Sequence, residues 1–249
     1  IGTLYFDIPF KELEIIKNAR INAIKYERLI NSKKVKGKLR YNNQDLKIYI
    51  NLKGELSQNW LYDKQWSLRI EIRDRKSVMG MREFSISRHN SRQYPLNPAL
   101  SSYLQKNGLF TPNFKNTKIM FNGDDWGLML VEEQFSNSYL ELRKLKDSPI
   151  FKFGNESRWH SSYAMNVKED VDYPIGNFLT RWQGILDYKI YNSDQYYSPE
   201  NLDRISFVNS LYQKISRNEL SLNKLEEFLD FDSFSKALIL SFLVGEIHS

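Results

Sequence analysis

The Asn122-Gly123 step between two apolar runs constrains this chain more than any other feature. Asn-Gly accepts the positive φ that a type I′ turn requires, and the twist of that turn matches two paired strands. Beyond the turn, Leu128-Met129-Leu130-Val131 reads as an apolar strand that ends on Glu132-Glu133. The spacing predicts a hairpin between residues 118–121 and 128–133. Ser136 is placed to cap a helix carrying Tyr139, Leu140 and Leu142. Ile150-Phe151-Lys152-Phe153 then reads as a short strand with a lysine at its centre. An acid ending one strand and a lysine inside a nearby one can pair in a folded sheet, as phosphoryl-transfer enzymes do to hold a nucleotide.

Periodicity predicts further strands near residues 3–8, 37–41, 46–52, 66–72 and 82–87. In the fourth of these, Trp66, Leu68, Ile70 and Ile72 share one face, with Ser67, Arg69, Glu71 and Arg73 on the other. Helices are expected at 10–29, opened by Pro9, and from Asn97 as a cap to Gly108. After Gly154 the pattern turns helical: 172–190, 199–215 and 222–245, the last in two pieces meeting near Asp230–Asp232. Its stretch 234–244 is almost wholly apolar and is expected to be buried. A β-rich lobe over 1–154 followed by a helical portion over 155–249 is an α+β arrangement. The chain stops soon after that apolar helix and is expected to continue.

The chain holds 249 residues with 41% hydrophobic and 14% aromatic side chains, enough for a sizeable core. It has no cysteine, which excludes disulfides, thiolate metal sites and cysteine nucleophiles. No apolar run reaches membrane-spanning length. The net charge of +6 favours anionic partners, although both signs are mixed along the chain. Lys33-Lys34-Val35-Lys36-Gly37-Lys38 reads as a solvated loop entering a strand. Nucleic acid is an unfavoured partner, because the aromatics fall on alternating, core-like positions.

Lys64 and Arg69 sit on the early strands and can reach phosphate if that sheet roofs a nucleotide. The other reading is a polar strand face. Asp124 and Asp125 are adjacent, and adjacent turn residues rarely aim both carboxylates at one ion. His89, His160 and His248 lack metal-ligand spacing. Neither a Gly-rich P-loop with Gly-Lys-Ser/Thr nor a Gly-x-Ser-x-Gly elbow is present. Glu132 projects from the face opposite Glu133 and is read as solvated.

Several blocks in order carry a resemblance. They are Ile50-Asn51-Leu52-Lys53-Gly54-Glu55, Asp63-Lys64-Gln65-Trp66-Ser67-Leu68-Arg69-Ile70, Phe84-Ser85-Ile86 with Ser91-Arg92, and Asn107-Gly108-Leu109-Phe110. They continue through Asn122-Gly123, the strand from Gly127 to Glu133 and the lysine strand at 150–153. Over roughly residues 35–249 the chain resembles the CotH kinase family. Met129 stands where that family usually has tyrosine.

The resemblance implies an atypical protein-kinase-like fold. It implies transfer of the ATP γ-phosphate, with Mg2+ or Mn2+, to Ser or Thr of a surface or coat protein. It also implies an extracytoplasmic, cell-surface or spore-surface location. Lys152 would contact phosphate, Glu133 would hold it, and Arg92 would match a family arginine. The family's metal-binding aspartates would lie beyond Ser249, so the chain alone would be inactive. The alternative is a non-catalytic surface or assembly protein that uses the same scaffold to bind an acidic partner.

Overall fold

The computed structural model describes residues 2–29, 32–54, 56–92, 94–145, 148–154, 187–190, 199–217, 219 and 221–243. The chain is α+β. It divides into two compact units, Ile1–Leu145 with Asp232–Ser249, and Lys146–Phe231. No helix among the described residues is long and apolar enough to cross a membrane.

The first unit is built on a closed seven-stranded barrel. Its strands are β1 (Thr3–Asp7), β2 (Val35–Tyr41), β3 (Gln44–Leu52), β4 (Leu68–Ile72), β5 (Glu83–Ser87), β6 (Phe114–Phe121) and β7 (Asp124–Glu133). Around the barrel the order is β1-β2-β3-β4-β5-β7-β6. Every neighbouring pair is antiparallel except β1 and β6, which run parallel and close the ring.

Alternation along the strands fills the interior, although β5 and β7 also bury Ser85, Ser87 and Leu130 on their outer face. Leu4 and Phe6, Leu46, Ile48 and Ile50, Leu68 and Ile70, Phe84 and Ile86, Ile119, Met129 and Val131 are all buried. Each fully buried side chain of this size contributes about 1.5–3 kcal/mol. Helix α1 (Phe10–Lys25) packs on β2 and β3 through Ile16 and Ala23. Helices α2 (Leu96–Lys106) and the short α3 (Asn137–Leu142) also belong to this unit, as does most of a helix at Phe231–Leu243.

The Asn122-Gly123 turn does more than reverse the chain. Both residues have positive φ, 47° and 86°. The Asn122 amide reaches across the parallel seam: Oδ1 accepts from Ile8 N at 2.8 Å, and Nδ2 donates to Ile8 O at 2.8 Å. Its backbone N–H donates to Phe6 O at 2.9 Å. At the other end of the seam, Thr117 Oγ1 donates to Gly2 O at 2.6 Å.

Three expectations differ from the structure. Helix α2 starts at Leu96 after Pro95, with no side-chain cap, so Asn97 lies inside it. Residues 187–190, expected helical, form strand β9 (Asp187–Ile190), which pairs with β8 (Phe151–Gly154) in a two-stranded sheet. Short-range periodicity could not show that long-range pairing. The rest of the expected 172–190 helix lies outside the described residues. The apolar stretch after residue 234 falls in a helix, Phe231–Leu243, yet Phe234, Leu238 and Ile239 are exposed rather than buried. Beside β8 and β9, the second unit holds helices Pro199–Ser216 and Leu222–Leu225.

Asn122→Gly keeps the turn but removes both bonds to the buried Ile8 backbone, and should cost about 1–3 kcal/mol in urea unfolding. Asn122→Ala should cost roughly 1 kcal/mol more, because alanine is strained at positive φ.

Candidate functional site

The site begins where β3 ends. Lys53 N donates to Ser67 O at 2.8 Å, and Gly54 follows at φ +93°. A Cβ on Gly54 would stand 2.3 Å from Asn59 Cγ, so the close approach and the backbone both require glycine. The loop that returns to β4 is pinned at several points. Trp60 Nε1 donates to Gly54 O at 3.1 Å, and Ser67 Oγ donates to Asn59 Oδ1 at 2.8 Å. Arg20 of α1 donates to the carbonyls of Trp60, Leu61 and Tyr62 at 2.7–3.1 Å. Its guanidinium also lies over the Trp66 ring at 5.1 Å. The backbone that carries Lys53 is therefore fixed on both sides.

Lys53 reaches across the outer face of the barrel. Its Nζ donates to Ser85 Oγ at 2.8 Å and stands 3.2 Å from Glu132 Oε2. Ser85 and Glu132 face each other in register on β5 and β7, and Ser85 Oγ donates to the carboxylate at 3.2 Å. Gln134 Nε2 donates to the same hydroxyl at 3.2 Å, and Arg69 Nη2 donates to Gln134 Oε1 at 3.3 Å. Ser85 thus accepts twice and donates once, which uses its whole capacity. It is fully buried, while the Lys53 and Glu132 side chains are only 17% and 14% exposed. Two residues along β5 on the same face, Ser87 is buried and its hydroxyl has no hydrogen-bond partner among the described residues. The arrangement offers a cation held ready, a carboxylate beside it and an unused hydroxyl on the same strand.

Glu133 occupies a different environment. It lies on the same side of β7 as Met129 and Val131 and is 2% exposed. Arg143 grips it with two bonds of 2.9 and 2.6 Å, and Asn113 donates through its backbone N and Nδ2 at 3.1 and 2.7 Å. Arg143 in turn lies 3.6 Å over the Tyr139 ring. These bonds fasten the end of α3 to the end of β7, and removing one partner of such a buried pair costs about 3–5 kcal/mol. Glu132, expected to be solvated, is instead the acid paired with a lysine.

The other sequence-predicted residues lie on several elements. Lys152 lies on β8, opposite Lys189, in a sheet separate from that of β7. Its side chain, like that of Arg92 at the end of the short turn His89–Arg92, is outside the described residues. Lys64 is exposed and stands 3.6 Å from Asp124. Asp125 pairs with Lys118 at 2.8 Å, and that bond, together with the Gly127 N–H, holds its carboxyl below the usual range. The two adjacent aspartates therefore serve different lysines. Among the described residues no group of three or more His, Asp or Glu is placed to hold a metal ion. His160 and His248 are outside them.

Sequence reasoning passed over Lys53 and Ser85. Both lie in the quoted blocks, Lys53 beside a glycine at a strand end. What was missing is register: nothing local states that β3, β5 and β7 bring residues 53, 85 and 132 to one point. Compared with known protein families and with curated proteins, the chain matches none.

One carboxyl near this face is perturbed by burial. Glu83 is pushed upward chiefly by desolvation, with Glu71 opposite it on β4 adding to the effect and hydrogen bonds from Ser136 and Ser138 opposing it. A folded-state value above the unfolded one means that the folded chain binds more protons between the two. Stability from this group is then full below the unfolded value and is lost as pH rises through the folded value. Glu83→Gln should therefore gain in melting temperature relative to the parent on going from about pH 4 to pH 7, read by thermal denaturation across that range.

Proposed function

We propose that this chain is the nucleotide-binding part of an atypical protein kinase of CotH type. It would take ATP and serve transfer of the γ-phosphate to Ser or Thr of a surface or coat protein. The observation that carries this reading is the Lys53–Ser85–Glu132 cluster. A lysine largely withdrawn from water, held by a carboxylate and a shared serine hydroxyl, is a preorganised phosphate ligand. An ion pair kept only for stability has a weak rationale here, since apolar residues of similar volume commonly do as well.

The order of the sequence blocks supports the same reading. The Lys53-Gly54 block, the Phe84-Ser85 strand and the strand ending in Glu132-Glu133 each supply one member of the cluster. In this reading Lys53 neutralises phosphate oxygens and Glu132 orients it. Ser85 fixes the distance between them, and Glu133 secures the strand end behind them. Lys152 remains a second candidate for a phosphate contact. The Mg2+ or Mn2+ expected with ATP finds no ligand set among the described residues.

Thermal denaturation with and without ATP, alone and with Mg2+ or Mn2+, tests the proposal. ATP at about a hundred times its dissociation constant should stabilise the fold by roughly 2.7 kcal/mol, a shift of several degrees. Lys53→Ala, compared with its own ligand-free baseline, should lose the shift. An unchanged shift in Lys53→Ala would move the site elsewhere, with Lys152→Ala as the next variant. No shift under any condition would remove nucleotide binding from this chain.

A further inference from the structure

We propose that the outer face of β2, β3 and β4 is a docking surface for an acidic segment of another polypeptide. Register places Lys38 of β2 directly opposite Lys47 of β3. Arg73, just past the end of β4, donates its backbone N–H to Lys47 O at 2.9 Å, which carries the row one strand further. Three cations stand side by side across the strands, spanning about 10 Å at the usual strand separation. All three side chains are exposed, as is Lys36 on the same face of β2.

Like charges directly opposite one another destabilise a sheet. Carboxylates nearby would offset that cost, but those on this face are mostly engaged. Arg40 holds Asp45 at 2.8 Å, and Lys34 holds Glu71 at 2.6 Å. Asp7 of β1 stands beside Lys38 in register, and Asp74 follows Arg73 in a turn where Arg75 and Lys76 come next. Among the described residues, Lys38, Lys47 and Arg73 have no carboxylate within salt-bridge distance. Asp7 offsets Lys38 on one side, but the Lys38–Lys47–Arg73 row keeps an excess of positive charge that an external polyanion would relieve.

The occupant that fits is a run of Asp and Glu side chains. Two ammonium groups and a guanidinium take carboxylates without any need for stacking. A nucleic acid would also use open aromatic faces. Arg73 already covers Tyr49 at 4.8 Å, and Tyr5, half exposed, lies between Arg40 and Met120 in register. The row lies on the same outer face of β3 as the nucleotide site but about 20 Å along the strand, since Lys53 follows Lys47 by six residues.

Fluorescence anisotropy of a labelled glutamate-rich peptide, titrated with the whole chain at low ionic strength, tests this. Saturable binding that weakens as salt is added is expected. The double variant Lys38→Gln/Lys47→Gln should bind at least about tenfold more weakly. Its melting temperature should equal or exceed that of the parent, because the repulsion is gone, which separates lost contact from lost fold. Absence of saturable binding, equal binding by the double variant, or tighter binding of a single-stranded oligonucleotide of the same charge would each overturn the proposal. The peptide assay contains no nucleotide, so its failure leaves the ATP-dependent thermal shift to stand or fall by itself.

Discussion

The barrel depends on one parallel seam. Six of its seven strand contacts are antiparallel, but the ring closes only where β1 lies alongside β6. Parallel pairing is slightly weaker per residue than antiparallel pairing. Here it is reinforced from outside the ladder: Asn122 clamps the Ile8 backbone at one end and Thr117 binds Gly2 at the other. Closure abolishes free edges and gives every strand an inside and an outside. The inside is uniformly apolar over most of its length, which leaves the outside free to vary in charge.

That division of labour organises the polar features. On the outer face, Lys53, Ser85 and Glu132 meet because β3, β5 and β7 lie in fixed register around the ring. A one-residue slip would turn all of these side chains to the other face. The loop after Lys53 does not rely on the sheet alone, since Arg20 from α1 binds three of its carbonyls. The same logic separates the two adjacent glutamates. Glu132 faces outward to a lysine, and Glu133 takes the apolar side, where only a bidentate arginine and an asparagine make its charge tolerable.

Much of the barrel was legible in the sequence because its signals are local. The alternation of Leu68, Ile70 and Ile72, the Asn122-Gly123 turn and the Ser136 cap each involve residues within a few positions of one another. The candidate site was less legible. Its three residues are separated by 32 and 79 positions from Lys53, and only the ladder joins them. Choosing between Glu132 and Glu133 required knowing which face was the interior, and both faces of β7 are largely apolar. Strand β9 was missed for a related reason, since its partner β8 lies far back in the chain. The apolar run of the last helix misled in the opposite sense, because hydropathy alone does not say whether a face is covered.

Hydrogen–deuterium exchange of the chain with and without ATP and Mg2+ tests the central claim most directly, because it locates a ligand without requiring turnover. If the Lys53–Ser85–Glu132 cluster receives the phosphates, amides in residues 51–54, 84–87 and 130–134 should exchange more slowly when nucleotide is bound. Those segments should change together, since one ligand would bridge all of them. Unchanged exchange in the three segments, with protection elsewhere or nowhere, would contradict the assignment.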